Sequence, residues 1–284
     1  MLGRSKNEKM KIVVLLPKLH AGAEIALNAL LRKKDLHVTG IVRSDISPWK
    51  KKYWKYFWYG LRRAGIFYGA LIALTAYLPL WGLAIASLCL WHRKRKWLTT
   101  DELIRKYGLK VLDTEDINAT ESVKTLHSWK PDMMVSLSFD QILRPSALRT
   151  SKDALNLHPG ILPRYRGLWP IFWKLLRKEK YAGITIHRMT EKIDEGEILA
   201  LKHFRIRKND TKVSLTLKSA RTGALLLIET LRHLKRGVPK KIRFLRGTPG
   251  YNSFPTKTDF DRFFATGKKL FSVRSVVKEL LRNY

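Results

Sequence analysis

The unbroken apolar run Ile12-Val13-Val14-Leu15-Leu16 narrows most sharply what this chain can become. A strand turns successive side chains to opposite faces, so a run apolar at every position must be covered on both. That predicts a parallel strand inside a sheet with helices on either side. The flanking sequence agrees. Ala21 to Arg32 repeats apolar residues at helical spacing, and Leu36 to Val42 is a second strand pattern. This β-α-β opening predicts an α/β, Rossmann-like fold with a mostly parallel sheet and helices on both faces. The turn between the first strand and helix, Lys18-Leu19-His20-Ala21-Gly22, lacks the three spaced glycines of a dinucleotide fingerprint. No nucleotide cofactor is therefore expected.

Downstream, helices are expected at Asp101–Tyr107, Asn118–Trp129, Leu168–Arg177 and Leu215–Leu234. Strands are expected at Lys110–Leu112, Asp132–Phe139, Ala154–Leu157, Gly183–Arg188 and, in antiparallel sense, Ile198–Ile206. A 284-residue chain with 45% hydrophobic residues suits one large domain. We place that domain at 1–237, with a short basic extension at 238–284. The single cysteine, Cys89, excludes an internal disulfide framework.

The chemistry concentrates between Asn156 and Leu199. Asn156-Leu157-His158-Pro159 lies at the carboxyl end of an expected strand, where open α/β sheets place their ligands. Residues two apart in a strand point the same way, so Asn156 and His158 can face one cleft. Taken alone, the tetrapeptide reads more readily as a satisfied Asn and a structural His at a strand end. The loop Gly160-Ile161-Leu162-Pro163-Arg164-Tyr165-Arg166-Gly167 follows. Then come Gly183-Ile184-Thr185-Ile186-His187 and Ile193-Asp194-Glu195-Gly196-Glu197, the latter placing an acid in a tight turn before a strand.

In these residues the chain resembles the folate-dependent formyltransferases: glycinamide ribonucleotide, methionyl-tRNA and amino-sugar N-formyltransferases. The family pattern is Asn-x-His, a Leu-Pro-x-Tyr-x-Gly loop, a Gly-x-Thr strand and Asp-x-Gly before a final strand. All four occur here in order. The resemblance implies a 10-formyltetrahydrofolate donor, a primary-amine acceptor and a catalytic set of Asn156, His158 and Asp194. It also implies that Asp140, Gln141, Ile142 and Leu143, with Leu162, Pro163 and Gly196, border the folate. One departure stands out. The family often has Gly-Gln-Ile-Leu where this chain has Asp140-Gln141-Ile142-Leu143. Arg164 and Tyr165 can touch a ligand or clamp the loop, and His187 reads as structural rather than catalytic. No metal is expected, because the histidines show no ligand spacing.

Between the second and third expected strands the pattern breaks. From Ala64 to Trp91 no residue is charged, and as a helix the run would reach roughly 42 Å, past the ~30 Å hydrocarbon core of a bilayer. Arg62-Arg63 and His92-Arg93-Lys94-Arg95-Lys96 flank it, and Trp54, Tyr56, Phe57, Trp58, Tyr59, Trp91 and Trp97 crowd its ends. Both flanks are basic, and sheet strands lie on either side of the run. This predicts an apolar helical insert at about 60–97 that enters and leaves a membrane on the cytoplasmic face. The alternative is a helix pair buried in a core or dimer interface.

With 56 Lys+Arg against 23 Asp+Glu, a net charge of +33 favours polyanionic partners. Together these features point to a peripheral or monotopic enzyme on the cytoplasmic side of an anionic membrane. Its expected acceptor is a lipid- or nucleotide-linked amino sugar. Methionyl-tRNA is the second acceptor considered, and the stretch after Gly237 is too short for that family's tRNA-binding β-barrel. Hydrolysis of the formyl donor and non-catalytic membrane or nucleic-acid binding complete the alternatives.

Overall fold

The computed structural model describes residues 9–18, 20–45, 54–55, 57–72, 98–237 and 249–281. The run Ile12–Leu16 lies in β1 (Lys11–Pro17), and all five side chains are fully buried. α1 (Ala21–Leu31) returns the chain to β2 (His37–Ser44), which pairs with β1 in parallel. A helix over residues 57–72, α2, comes next among the described residues. α3 (Thr100–Tyr107) opens on a reciprocal cap between Thr99 and Glu102 and leads to β3 (Lys110–Thr114). α4 (Thr120–Trp129), β4 (Met133–Leu137), α5 (Pro145–Leu148) and β5 (Asp153–His158) complete the parallel half of the sheet.

The two-residue strand β6 (Arg166–Gly167) and α6 (Pro170–Leu176) precede β7 (Tyr181–Arg188) and β8 (Ile198–Arg205). β7 and β8 extend the sheet in antiparallel sense, giving the order β3-β2-β1-β4-β5-β7-β8. α7 (Lys212–Lys235), β9 (Tyr251–Asn252), α8 (Lys257–Ala265) and α9 (Val273–Leu281) finish the described chain.

Alternation in the strands builds two cores. Ile12, Val14, Leu16, Val135, Leu137, Leu155 and Leu157 meet α1 and α7 on one face. Val13, Leu15, Met134 and Ala154 meet Leu126 of α4 and Ala147 of α5 on the other. A third, aromatic core joins Phe172 of α6 to Phe260 and Phe263 of α8 and to Ala64 of α2, all four fully buried. Two differences from the sequence expectation follow. The stretch after Gly237 is not a mere extension, because α8 fills this third core and α9 packs on α7. The first part of the expected insert is a helix fixed to the same core. Its remainder, residues 73–97, lies outside the described residues. Among the described residues, no helix is long and apolar enough to cross a membrane.

Candidate active site

β5 lies inside the sheet between β4 and β7, and its last residues include the expected Asn156 and His158. They share a face with Ala154, while Leu155 and Leu157 go to the α7 side. β7 runs beside them and sets Asn156 opposite His187 and His158 opposite Thr185. Asp194 sits in the turn from β7 to β8 with a left-handed backbone (φ 54°), a conformation Asp tolerates better than most residues. The turn brings its carboxylate back over β5. Asp194 Oδ2 lies 3.6 Å from His158 Nδ1, and Asp194 Oδ1 lies 3.4 Å from Asn156 Nδ2 and from His187 Nε2. The three residues expected as catalytic therefore form one constellation.

Hydrogen bonds fix the roles of the ring nitrogens. His158 Nε2 is 2.6 Å from the Tyr165 carbonyl oxygen, which can only accept, so Nε2 carries the proton and the neutral ring presents a bare Nδ1 to Asp194. His187 Nδ1 likewise donates to the Arg188 carbonyl at 2.8 Å. Its Nε2 then accepts from the Asn156 amide at 3.2 Å, which sets the amide with its NH2 toward the site. Sequence reasoning set His187 aside as structural. Its strand register across from Asn156 is what places it here.

Burial pushes His158 below its ordinary pKa, against the raising effect of the Asp194 charge, and His187 and Lys174 push it further down. Burial acts to raise the Asp194 carboxyl. The neighbouring His158, the His187 ring and the Gly167 backbone N–H outweigh it and hold that pKa at about 2. Near neutral pH the site thus pairs a neutral imidazole with a carboxylate.

The loop from Pro159 to Gly167 supports this arrangement. Gly160 lies against the His158 ring, and a Cβ there would meet the ring and stand 2.8 Å from the Tyr165 carbonyl. Thr185 Oγ1 donates to the Gly160 carbonyl and accepts from Leu162 N, at 2.7 and 3.2 Å. Tyr165 is a clamp. It is buried, with its hydroxyl donating to Glu179 at 2.6 Å, and Arg164 pairs with the same carboxylate at 2.9 Å. Beneath them the Lys174 ammonium, fully buried, reaches the Pro159 carbonyl at 3.3 Å and stands 4.5 Å from the Tyr165 ring centroid. Burial lowers its pKa to about 7. The Gly167 N–H that holds Asp194 belongs to β6, which is paired with β9.

The residues expected to border the folate divide. Asp140, Gln141, Ile142 and Leu143 follow β4 at its carboxyl end. The Gln141 side chain is turned inward, accepting from Ile117 N at 2.8 Å and donating to the Thr114 carbonyl at 3.3 Å. Leu143 is core, whereas Asp140 and Ile142 are exposed. Leu162 is buried and joined to Pro163 by a cis peptide, and Gly196 packs against the Arg188 carbonyl. On the α7 side, a crevice opens where β1, β4 and β5 end, lined by His20, Gly22, Ser138, Pro159, Thr216 and Ser219. Among the described residues there is no metal-holding cluster.

Comparison with known proteins finds similarity to formyltransferases in sequence and in fold. Residues 94–231 match the formyl transferase family model. The methionyl-tRNA formyltransferase of Halothermothrix orenii is 37% identical over 138 residues, covering 48% of this chain and 44% of that protein. The bifunctional polymyxin resistance protein ArnA of Wigglesworthia glossinidia brevipalpis is 34% identical over 150 residues, 52% of this chain and 22% of that protein. This chain therefore spans under half the length of these relatives. In fold it resembles glycinamide ribonucleotide transformylase 1 from Symbiobacterium toebii, with a TM-score of 0.55 at 19% identity, covering 85% of this chain and 96% of that one. A sugar N-formyltransferase from Shewanella sp. has a TM-score of 0.53 at 18% identity, covering 86% and 76%.

Proposed function

We propose that this chain, whose residues 94–231 match the formyl transferase family model, moves a formyl group from 10-formyltetrahydrofolate to a primary amine. The observation that carries the reading is the convergence of Asn156, His158 and Asp194 at the carboxyl end of the sheet. The amine nitrogen attacks the formyl carbon, and the carbonyl electron pair moves to oxygen. Asn156 donates an amide N–H to that oxyanion while His187 holds the amide's orientation. The new ammonium gives a proton to His158 Nδ1, whose gain of charge Asp194 stabilises. The carbon–nitrogen bond to the folate then breaks, and the folate nitrogen takes up the proton. The products are a formamide and tetrahydrofolate. Asp140, Gln141, Ile142, Leu143, Leu162, Pro163 and Gly196 are the expected border of the folate; of these Asp140 and Ile142 are exposed, while Gln141, Leu143 and Leu162 act from within the loops.

For the acceptor we favour an amine on an anionic carrier: a nucleotide- or lipid-linked amino sugar at the cytoplasmic face of a membrane. Several features of the α7-side crevice suit an anion. His20 Nδ1 accepts from Ala23 N, so its Nε2 carries a proton. The buried Ser219 hydroxyl has no partner among the described residues. The Lys212 ammonium lies near enough to depress the His20 pKa, after burial, to about 4. Methionyl-tRNA is the second reading, favoured by the names of the most similar curated proteins and by the +33 charge.

The test is incubation with labelled 10-formyltetrahydrofolate and, separately, nucleotide-linked amino sugars, a membrane lipid extract and initiator methionyl-tRNA. Mass spectrometry then looks for a product heavier by one formyl group. Release of formate with no formylated product would support hydrolysis instead. Folate binding without turnover would leave a binding protein.

A further inference from the structure

α2 has two unlike sides. On the inner side Ala64 is fully buried, and Tyr68 stacks on Phe260 and Phe264 at centroid distances of 5.0 and 5.7 Å. The Tyr68 hydroxyl donates to Asp261 at 2.5 Å. Arg63 Nε donates to the Phe254 carbonyl at 2.8 Å, and its Nη2 donates to Ser253 Oγ at 3.1 Å. These contacts fix the helix to α8 and to the segment just after β9. On the outer side Ile66 and Phe67 are 78% and 73% exposed, with Trp58 and Tyr59 nearer the helix start also exposed. Single exposed apolar residues are ordinary, but several on one short helix mark an interaction surface.

We infer that the outward side of α2 is a docking surface for an anionic lipid bilayer. Charge decides the occupant. From Ile46 to Thr100 the chain has no acidic residue, while Lys50, Lys51, Lys52, Lys55, Arg62, Arg63 and the run Arg93 to Lys96 are basic. Aliphatic side chains, interfacial aromatics and lysine and arginine close by in sequence are the chemistry that lies flat in a headgroup layer. In sequence, α2 leads straight into the uncharged stretch that continues to Trp91. The inner side gives docking a consequence. Through Arg63, α2 grips the segment after β9. β9 pairs with β6, and β6 supplies the Gly167 N–H that holds Asp194. Docking at α2 is thereby coupled to the strand that holds the Asp194 carboxylate. The inference rests on the membrane-borne acceptor for its purpose, while lipid binding itself is measured without any acceptor.

The test is co-sedimentation of the full chain with vesicles of phosphatidylcholine alone or mixed with phosphatidylglycerol. The parent is expected to bind the mixed vesicles more tightly, and less so as salt rises. The double variant Ile66→Glu/Phe67→Glu should lose about tenfold or more in vesicle affinity. The control Val273→Glu, at an exposed valine on α9, should bind as the parent does. Both should turn over a soluble amine at the parent rate, which separates failure of the surface from failure of the chemistry. A second readout is independent of the charge reversal. An environment-sensitive dye on Cys at position 66 (Ile66→Cys in a Cys89→Ser background) should shift to the blue with mixed vesicles. Parent protein that ignores vesicles, a double variant that binds them undiminished, or a dye that does not shift would each overturn the inference. So would self-association of the parent through these residues without lipid binding.

Discussion

His158 donates from Nε2 to the backbone carbonyl of Tyr165 at 2.6 Å, so the nitrogen it turns toward Asp194 is the unprotonated one. A side chain seven positions along the same loop thus has no part in choosing the tautomer. The backbone does it, and Gly160 is the residue that lets the ring lie close enough.

Gly160→Ala should consequently damage the site with no change of chemistry. The added methyl meets the imidazole and the Tyr165 carbonyl, displacing the ring from both. Turnover is expected to fall about a hundredfold, near the loss of removing the base itself. Melting temperature should drop only modestly. A variant with parent turnover would show that the contact does not set the ring.

Asn156→Ala, His158→Ala and Asp194→Asn should each lower kcat about a hundredfold or more while circular dichroism stays native. Parent-like rates in all three would remove this constellation from the mechanism. The asparagine at 194 keeps the backbone turn and removes only the charge, so its effect isolates electrostatics from folding.

The proton-accepting form of His158 is the neutral ring, so activity should fall on the acid side as that ring gains a proton. Burial places this limb below the ordinary histidine value. Because the Asp194 charge raises the pKa of His158, Asp194→Asn should move the imidazole titration to still lower pH. NMR titration of the His158 ring reads this directly, and a shift upward would contradict the electrostatics. Asp194 carries a stability effect of its own. Its folded pKa of about 2 lies below the ordinary 3.8, so its contribution is complete above that value and disappears as pH falls toward 2.

Lys174 should make stability depend on pH at the alkaline end. With a folded pKa of about 7 against 10.5 when exposed, the unfolded chain holds a proton that the folded one has released between those values. Stability from this group therefore rises as pH increases across that window. Lys174→Met should flatten the rise in melting temperature between pH 7 and 10. An unchanged slope would mean that the ammonium does not titrate there.

Gln141 braces the loop after β4 through Ile117 and Thr114. Gln141→Ala leaves a buried backbone amide unsatisfied, at a cost of about 1–3 kcal/mol. The KM for the folate donor should rise several-fold with kcat less affected. A fall in kcat alone would assign Gln141 to the chemistry instead.

Much of this was legible in the residues because it was local. The run Ile12–Leu16 declared a doubly covered strand, and the two-residue spacing of Asn156 and His158 declared a shared face. What escaped was non-local. β6 and β9 are each too short to show alternation, and they pair Arg166 with Tyr251 across most of the C-terminal half. The aromatic core of Phe172, Phe260 and Phe263 joins helices whose separate patterns give no hint of their meeting. His187 enters the site through strand register, and Tyr165 contributes a backbone carbonyl that no side-chain pattern can reveal.

The β6–β9 pairing has a bearing on when the protein becomes active. Asn156, His158 and Asp194 all leave the ribosome well before Tyr251 and Asn252, the residues that brace the strand holding Asp194. A growing chain, or one broken off ahead of that point, can have its sheet and its histidine in place and still lack the brace on its carboxylate. Competence for catalysis is thereby deferred until Tyr251 and Asn252 have been made and have folded back onto β6.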